Sequence, residues 1–260
     1  MLDINYDEFN YKMATIGYVV FENFLCSDLC NNLKKTIEKE LNTYSHKDKS
    51  QRAYLDRHHL HDLICKYEEV AKLLEDERLD KILSQLLDEH WIMYAFTGSS
   101  CPPNATNYGG RVHVDCPRWI QNYNTNIGVL WALDDFTIDN GATRLLPASH
   151  HSPNIPTKDY FEKNAISLIC PAGSLVVMNA RIVHSTGYNY TQKYRHALTM
   201  NACRPYMKQR MDWVRFVPEN IVKNLNQRAK RILGYDTRLP TNLEEFFLPE
   251  EHRLYKPNQG

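Results

Sequence analysis

The chain has 260 residues, 43% of them hydrophobic and 24% charged, with 31 Lys+Arg against 31 Asp+Glu. That length suits one large domain with a sizeable core, and the zero net charge argues against a general nucleic-acid binder, which carries a basic excess. The seven cysteines are scattered without a Cys-x-x-Cys pair, a pattern that fits a reducing compartment and excludes a zinc ribbon or thioredoxin motif.

Residues 1–10 are acidic and polar, with no basic stretch leading into the apolar run of a signal peptide. No apolar segment approaches the roughly 20 residues of a membrane helix, so a soluble cytoplasmic protein is expected, with no membrane and no nucleic acid among its partners. Residues 16–21 (IGYVVF) predict a strand from their β-branched content. Ser27, an N-cap type, then opens a helix whose apolar face is Leu29, Leu33, Ile37 and Leu41. The polar stretch 47–57 predicts a loop, and residues 60–87 predict two consecutive helices broken near Asp76.

The character changes at Trp91. Short apolar runs at 91–97, 111–115, 126–133, 143–146, 165–169, 174–178, 181–184 and 197–203 are separated by turn signals such as Asn140-Gly141 and Pro171-Ala172-Gly173. About eight short strands in series predict a sandwich or barrel. Residues 218–233 return to helix, with Gly234 as its C′ residue. The expectation is one mainly β domain over 1–260: a helical buttress at 1–90, a barrel core at 91–205 and a C-terminal helical segment at 206–260.

Within the barrel segment, 111–115 reads RVHVD. On a strand His113 and Asp115 point to one face, and His184 closes a later apolar run ahead of a turn at Ser185-Thr186-Gly187. Two imidazoles and one carboxylate with open positions form the facial triad of non-haem iron(II) oxygenases, whereas a structural zinc site closes four protein ligands. Arg195 follows His184 by eleven residues, so a turn and a returning strand bring it back beside the metal. A guanidinium deep in a barrel needs an anion such as the distal carboxylate of 2-oxoglutarate, to which the Thr186 hydroxyl also has access.

These residues together resemble the phytanoyl-CoA dioxygenase family of 2-oxoglutarate oxygenases over residues 14–205. Gly17-Tyr18-Val19-Val20 with the Ser27 helix is similar to the family's opening segment. His113-Val114-Asp115 resembles its His-x-Asp, and Trp131-Ala132-Leu133-Asp134-Asp135 with Asn140-Gly141-Ala142-Thr143 its central strand and turn. Pro147-Ala148-Ser149-His150 is similar to its Pro-Gly-Ser-His segment, with Ala148 in place of Gly, and Pro171-Ala172-Gly173-Ser174 to the turn before the distal-His strand. The resemblance implies a double-stranded β-helix of the jelly-roll kind flanked by helices. It implies Fe(II) on His113, Asp115 and His184, 2-oxoglutarate on Arg195, Thr186 and Trp131, and O2 as second cosubstrate. Halogenases of this fold have Gly or Ala where this chain has Asp115, so its carboxylate favours hydroxylation of an unactivated C–H in a small metabolite. Desaturation, epimerisation and cyclisation share the same site, and a non-catalytic small-molecule-binding barrel is the alternative of another class. Natural-product metabolism enters by analogy alone. Candidate substrate contacts are the residues flanking the triad: Tyr108, Arg118, Trp119 and His150.

Overall fold

The structure is a computed structural model and describes residues 4–43 and 54–256; most of the loop predicted at 47–57 therefore lies outside the described residues. Its contacts divide it into two compact units. The first comprises Met1–His61, Thr97–Asn124 and Gly128–Met200, and the second Asp62–Phe96, Thr125–Ile127 and Asn201–Gly260.

The chain opens with a helix that composition conceals, α1 (Tyr6–Thr15), capped by the Asn5 side chain. Its Phe9 and Met13, four apart, are buried, and this short stripe anchors an otherwise polar helix. Strand β1 (Tyr18–Phe21) and helix α2 (Ser27–Thr43) follow. The Cys30 N–H bonds to the Cys26 carbonyl, so Cys26 rather than Ser27 holds the cap position. The buried stripe of α2 is Cys30, Leu33, Ile37 and Glu40, while Leu29 and Leu41 sit at its edge.

Eight further strands follow: β2 (His59–Leu60), β3 (Ile92–Cys101), β4 (Asn126–Ala132), β5 (Thr143–Leu145), β6 (Ile166–Ser167), β7 (Leu175–Asn179), β8 (His184–Thr186) and β9 (Arg195–Cys203). They form a six-stranded sheet ordered β1-β7-β4-β9-β3-β2 and a three-stranded sheet ordered β6-β5-β8, as the jelly-roll expectation requires. The core lies between them. Leu130 and Ala132 of β4, Val176 of β7 and Ala197 of β9 meet Leu145 of β5, Ile182, Phe136 and Leu168, with Tyr18 and Val20 of β1 alongside. On the other face β4 is also covered, since the Cys30 thiol lies 3.8 Å from the Ala132 carbonyl. Every residue of β4 is buried.

Two glycines take the positive φ that their turns need, Gly141 (80°) and Gly173 (84°). Ala148 takes φ 61° as well, so the loop keeps a glycine-like conformation although its residue carries a Cβ. A helix not foreseen from sequence, Lys158–Asn164, is capped by the Thr157 hydroxyl.

In the second unit the break near Asp76 is a cap: its carboxylate accepts from the Arg78 N–H and opens helix Glu77–Leu87. Residues 63–75 form short helical turns rather than one helix. The helix expected over 218–233 is two pieces, Glu219–Val222 and Gln227–Leu233, because the Asn226 side chain caps a fresh start by accepting from the Ala229 N–H. Gly234, at φ 102°, ends it. All seven cysteines are free thiols. Among the described residues no helix is long and apolar enough to cross a membrane.

Candidate metal centre and cosubstrate site

His113, Asp115 and His184 converge, with one ligand atom of each within 4.8 Å of the others. The backbone brings them together by a single exchange: His113 N–H to His184 O at 3.0 Å and His184 N–H to His113 O at 2.9 Å. The strand expected over 111–115 reduces to this one bridge. Pairing stops because the Asp115 and Cys116 N–H groups both turn to the Ala180 carbonyl, and Pro117 next in line has no N–H. His184 begins strand β8 instead of ending the preceding run, paired with Leu145 of β5.

Each imidazole is oriented by its own chain. Nδ1 of His113 lies 2.7 Å from the Arg111 carbonyl, and Nδ1 of His184 lies 2.9 Å from the Ile182 carbonyl. A carbonyl only accepts, so both rings carry the proton on Nδ1 and aim the Nε2 lone pair inward, the tautomer a metal needs. The two Nε2 atoms stand 3.6 and 3.7 Å from Asp115 Oδ1. Burial lowers the proton affinity of both rings. In His184 burial wins and the pKa falls below its ordinary value; in His113 Asp115 and the Arg111 carbonyl outweigh burial and the pKa rises. A metal arriving at the site therefore competes with a proton chiefly at His113.

Beside the triad a Cβ added to Gly128 on β4 would come 3.6 Å from Asp115 Oδ2 and 3.2 Å from Met178, so the missing side chain leaves room there. The donor set is one carboxylate and two neutral imidazoles on one side of an open space, which suits iron(II) with exchangeable positions.

Arg195 opens β9 and is 2% exposed. Its Nη2 donates to the Gly141 carbonyl at 2.8 Å, its guanidinium lies 4.2 Å over the Phe136 ring, and the Cys101 thiol is beside it. Burial lowers its pKa from the ordinary arginine value, yet arginine stays charged in proteins. No carboxylate among the described residues pairs with it, and its Nε is buried without a partner. A buried cation with unused donors fits an incoming carboxylate. Thr186 lies two residues after His184 on β8, and its Oγ1 is 2.7 Å from where a Gly109 Cβ would stand.

The remaining sequence candidates divide. Trp131 is on the face of β4 opposite Leu130 and Ala132, which pack in the core between the sheets, and opposite Gly128 beside Asp115. Strand alternation therefore sets its indole on the face of β4 opposite Gly128. His150 packs against Gly17 and Ile182, where a Gly17 Cβ would lie 2.5 Å from its Nδ1. Both its ring nitrogens are buried without a hydrogen-bond partner, and the ring is held by packing. Burial, helped by His151, pushes its pKa down to about 4. Trp119 donates from Nε1 to the His150 carbonyl and forms wall. Tyr108 and Arg118 are exposed, with the Arg111 guanidinium 4.1 Å over the Tyr108 ring.

Sequence reading missed Arg181. Its buried guanidinium donates to the Cys116, Pro117, Ser152 and Pro153 carbonyls at 3.0 to 3.3 Å and clamps the segment that follows Asp115. Nothing in composition or spacing marks it, because its partners are backbone atoms.

A model of the family described as phytanoyl-CoA dioxygenase (PhyH) matches residues 14–197. The chain belongs to the phytanoyl-CoA dioxygenase family. Its members are non-haem iron oxygenases dependent on 2-oxoglutarate. Among relatives, the uncharacterized protein Rv1501 of Mycobacterium tuberculosis is 34% identical over 184 residues, 70% of this chain and 67% of that one. Dioxygenase ALT11 of Alternaria alternata is 32% identical over 111 residues, 43% of this chain and 36% of its own length. Among solved structures, EctD from S. alaskensis, crystallised with 2-oxoglutarate and 5-hydroxyectoine, aligns with a TM-score of 0.65 at 16% identity, covering 77% of this chain and 76% of that one. The epimerase SnoN, solved with Fe3+, alpha ketoglutarate and nogalamycin RO, aligns with a TM-score of 0.59 at 15% identity over 76% and 82% of the two chains. At such identities the structural likeness speaks for the fold, and it agrees with the family's jelly roll.

Proposed function

We propose that this family member holds iron(II) on His113 Nε2, His184 Nε2 and the Asp115 carboxylate, binds 2-oxoglutarate against Arg195 and Thr186, and hydroxylates an unactivated C–H of a small metabolite. The observation that carries this reading is the pairing of a triad with pre-set tautomers and a fully buried guanidinium that lacks an anion. With 2-oxoglutarate and O2, iron supplies an oxidant able to remove hydrogen from such a bond, with succinate and CO2 as co-products. The chain's part is placement and electrostatics. The Arg111 and Ile182 carbonyls fix the two rings, Arg181 fixes the segment after Asp115, and Arg195 supplies the countercharge for a dicarboxylate. Asp115 occupies the place that halogenases of this fold leave open, which favours oxygen transfer over halogenation. The degree of exposure runs from buried His184 to exposed Asp115, so the substrate approaches from the Asp115 side.

Epimerisation is the second reading, favoured by the shared fold of SnoN, an epimerase from nogalamycin biosynthesis; the same likeness supports a role in secondary metabolism. The two reactions separate by product mass, since only hydroxylation adds an oxygen atom. Succinate release from 2-oxoglutarate in the presence of iron(II) and O2 tests the reading. His113→Ala is expected to abolish it, and turnover that survives in this variant refutes the ligand assignment.

A further inference from the structure

Strand β3 carries a polar face that the triad and Arg195 do not use. Thr97 and Ser99 are half-exposed, whereas Phe96, Gly98 and Ser100 are buried. The next residue on the Thr97–Ser99 face is Cys101, beside Arg195. One face of β3 therefore runs from half-exposed Thr97 and Ser99 to buried Cys101 beside the guanidinium. Strand β2 pairs with β3 antiparallel and sets His59 opposite Ser99.

Three polar side chains meet there. His59 Nε2 is 3.4 Å from Ser99 Oγ, and Asn107 Nδ2 donates to Ser99 Oγ at 3.3 Å. Asn107 is itself fixed, because its Oδ1 accepts from the Gly109 N–H and its Nδ2 also reaches the Ser100 carbonyl. Gly109 in turn abuts the Thr186 hydroxyl, two residues from His184, so this row borders the metal centre. Behind it stands Asp56, with Oδ2 2.6 Å from His61 Nε2 and Oδ1 3.3 Å from His59 Nδ1. His61 Nδ1 faces the Thr97 hydroxyl at 3.3 Å. Burial alone raises the Asp56 pKa, but its contacts with His59 and His61 outweigh burial and hold it well below the usual carboxylate range. His59 Nδ1 is buried without a hydrogen-bond partner, with the Asp56 carboxylate 3.3 Å away; the attraction of that negative charge for an N–H sets the His59 proton on Nδ1 and leaves Nε2 as an acceptor toward Ser99 Oγ. Asp56, His59 and His61 are not a second metal site: among the described residues the one group of three with ligand spacing is the triad.

We propose that His59, Ser99 and Asn107, backed by Asp56 and His61, form a substrate subsite that recognises adjacent hydroxyl groups of a neutral, polyol- or sugar-like molecule. This inference rests on the oxygenase reading above. The row offers an acceptor (His59 Nε2), a hydroxyl that does both (Ser99) and an amide donor (Asn107), the complement of a vicinal diol. The contacts within the row are long, at 3.3 to 3.4 Å, and a diol that replaces them makes shorter ones. Asp56 supplies a negative charge directly behind the imidazoles, which disfavours an anionic substrate group at this wall.

Ligand-observed saturation-transfer NMR tests the assignment on the full chain loaded with 2-oxoglutarate and redox-inert zinc. The probes are methyl β-glucopyranoside and myo-inositol, with cyclohexanecarboxylate as the anionic comparison. Both polyols are expected to receive saturation and cyclohexanecarboxylate to receive little. His59→Ala is expected to weaken polyol binding about tenfold, the equivalent of one lost hydrogen bond, and Asp56→Asn to weaken it in the same direction. His59→Gln, whose side-chain carbonyl restores an acceptor, is expected to recover part of the loss, which a merely structural His59 would not show. Polyol signals that persist in His59→Ala, silence from both polyols, or preferential binding of the carboxylate each overturn the proposal. The metal-dependent visible band of the iron-loaded wild type with 2-oxoglutarate separates the two failures. If the band forms and the polyols stay silent, this subsite alone is wrong; if the band is missing, the oxygenase reading fails.

Discussion

Replacing Arg195 by Met removes the buried charge while keeping most of the stem volume. Taking a guanidinium out of water costs several kcal/mol even after relaxation. The Gly141 carbonyl at 2.8 Å returns about 1.5–3 kcal/mol as a charged hydrogen bond, and the Phe136 ring at 4.2 Å about 2 kcal/mol when desolvated. These terms nearly cancel, so in the ligand-free protein Arg195→Met is expected to leave stability unchanged or raise it by up to about 2 kcal/mol. The ligand-bound comparison is expected to be opposite. Iron(II) with 2-oxoglutarate at about a hundredfold over its Kd stabilises a binder by about 2.7 kcal/mol. Loss of one partner of a buried charge pair costs about 2–5 kcal/mol, at least a thirtyfold weaker Kd, which at the same concentration leaves a stabilisation below about 1 kcal/mol. Anaerobic urea unfolding of both proteins with and without iron(II) and 2-oxoglutarate measures all four states. A ligand-free variant destabilised by more than about 3 kcal/mol, or one that keeps the full ligand-induced gain, would refute the reasoning, because Arg195 would then be a structural residue.

Two further outcomes concern stability. Ala148 holds a left-handed conformation that costs an L-residue about 1–2 kcal/mol, while glycine loses about 0.5–1 kcal/mol more chain entropy on folding. Ala148→Gly is therefore expected to stabilise by about 0.5–1 kcal/mol and to raise Tm by about 1–4 °C in a chain of this size; a lowered Tm contradicts the strain argument. In acid, His150 and His196 stay neutral in the folded chain down to about 4, both through burial. The unfolded chain protonates them below about 6.5. The unfolded state thus binds more protons in that window, and stability is expected to be flat above it and to fall as pH drops from about 6.5 to about 4. Urea midpoints across pH check this, and His150→Leu is expected to flatten part of the slope.

The site was legible in the sequence where chemistry and chain spacing coincide. His113-Val114-Asp115 with His184 names three side chains that do converge, and Arg195 at its spacing ends up buried beside Gly141. Turn chemistry was legible too: Gly141 and Gly173 both need positive φ, and Asp76 both breaks and caps. What escaped has physical causes. Every residue of β4 is buried, so hydrophobic alternation gives no clue to which face Trp131 takes; only the empty Cβ position of Gly128 beside Asp115 settles it. His150 reads as a surface turn because its burial depends on the glycine at position 17, distant in sequence. The pair His59 and Ser99, forty residues apart, meets only through strand register. The strand 111–115 failed because its register partner changes after one bridge, which local propensity does not encode.

The most direct test of the account is anaerobic titration of the iron(II)-loaded protein with 2-oxoglutarate, watched for the metal-to-ligand charge-transfer band in the visible. A saturable band is expected in the wild type and its loss in His184→Ala, whose native Nε2 faces Asp115 Oδ1 at 3.7 Å. A fully iron-loaded wild type without the band, or a band that persists unchanged in His184→Ala, would contradict it.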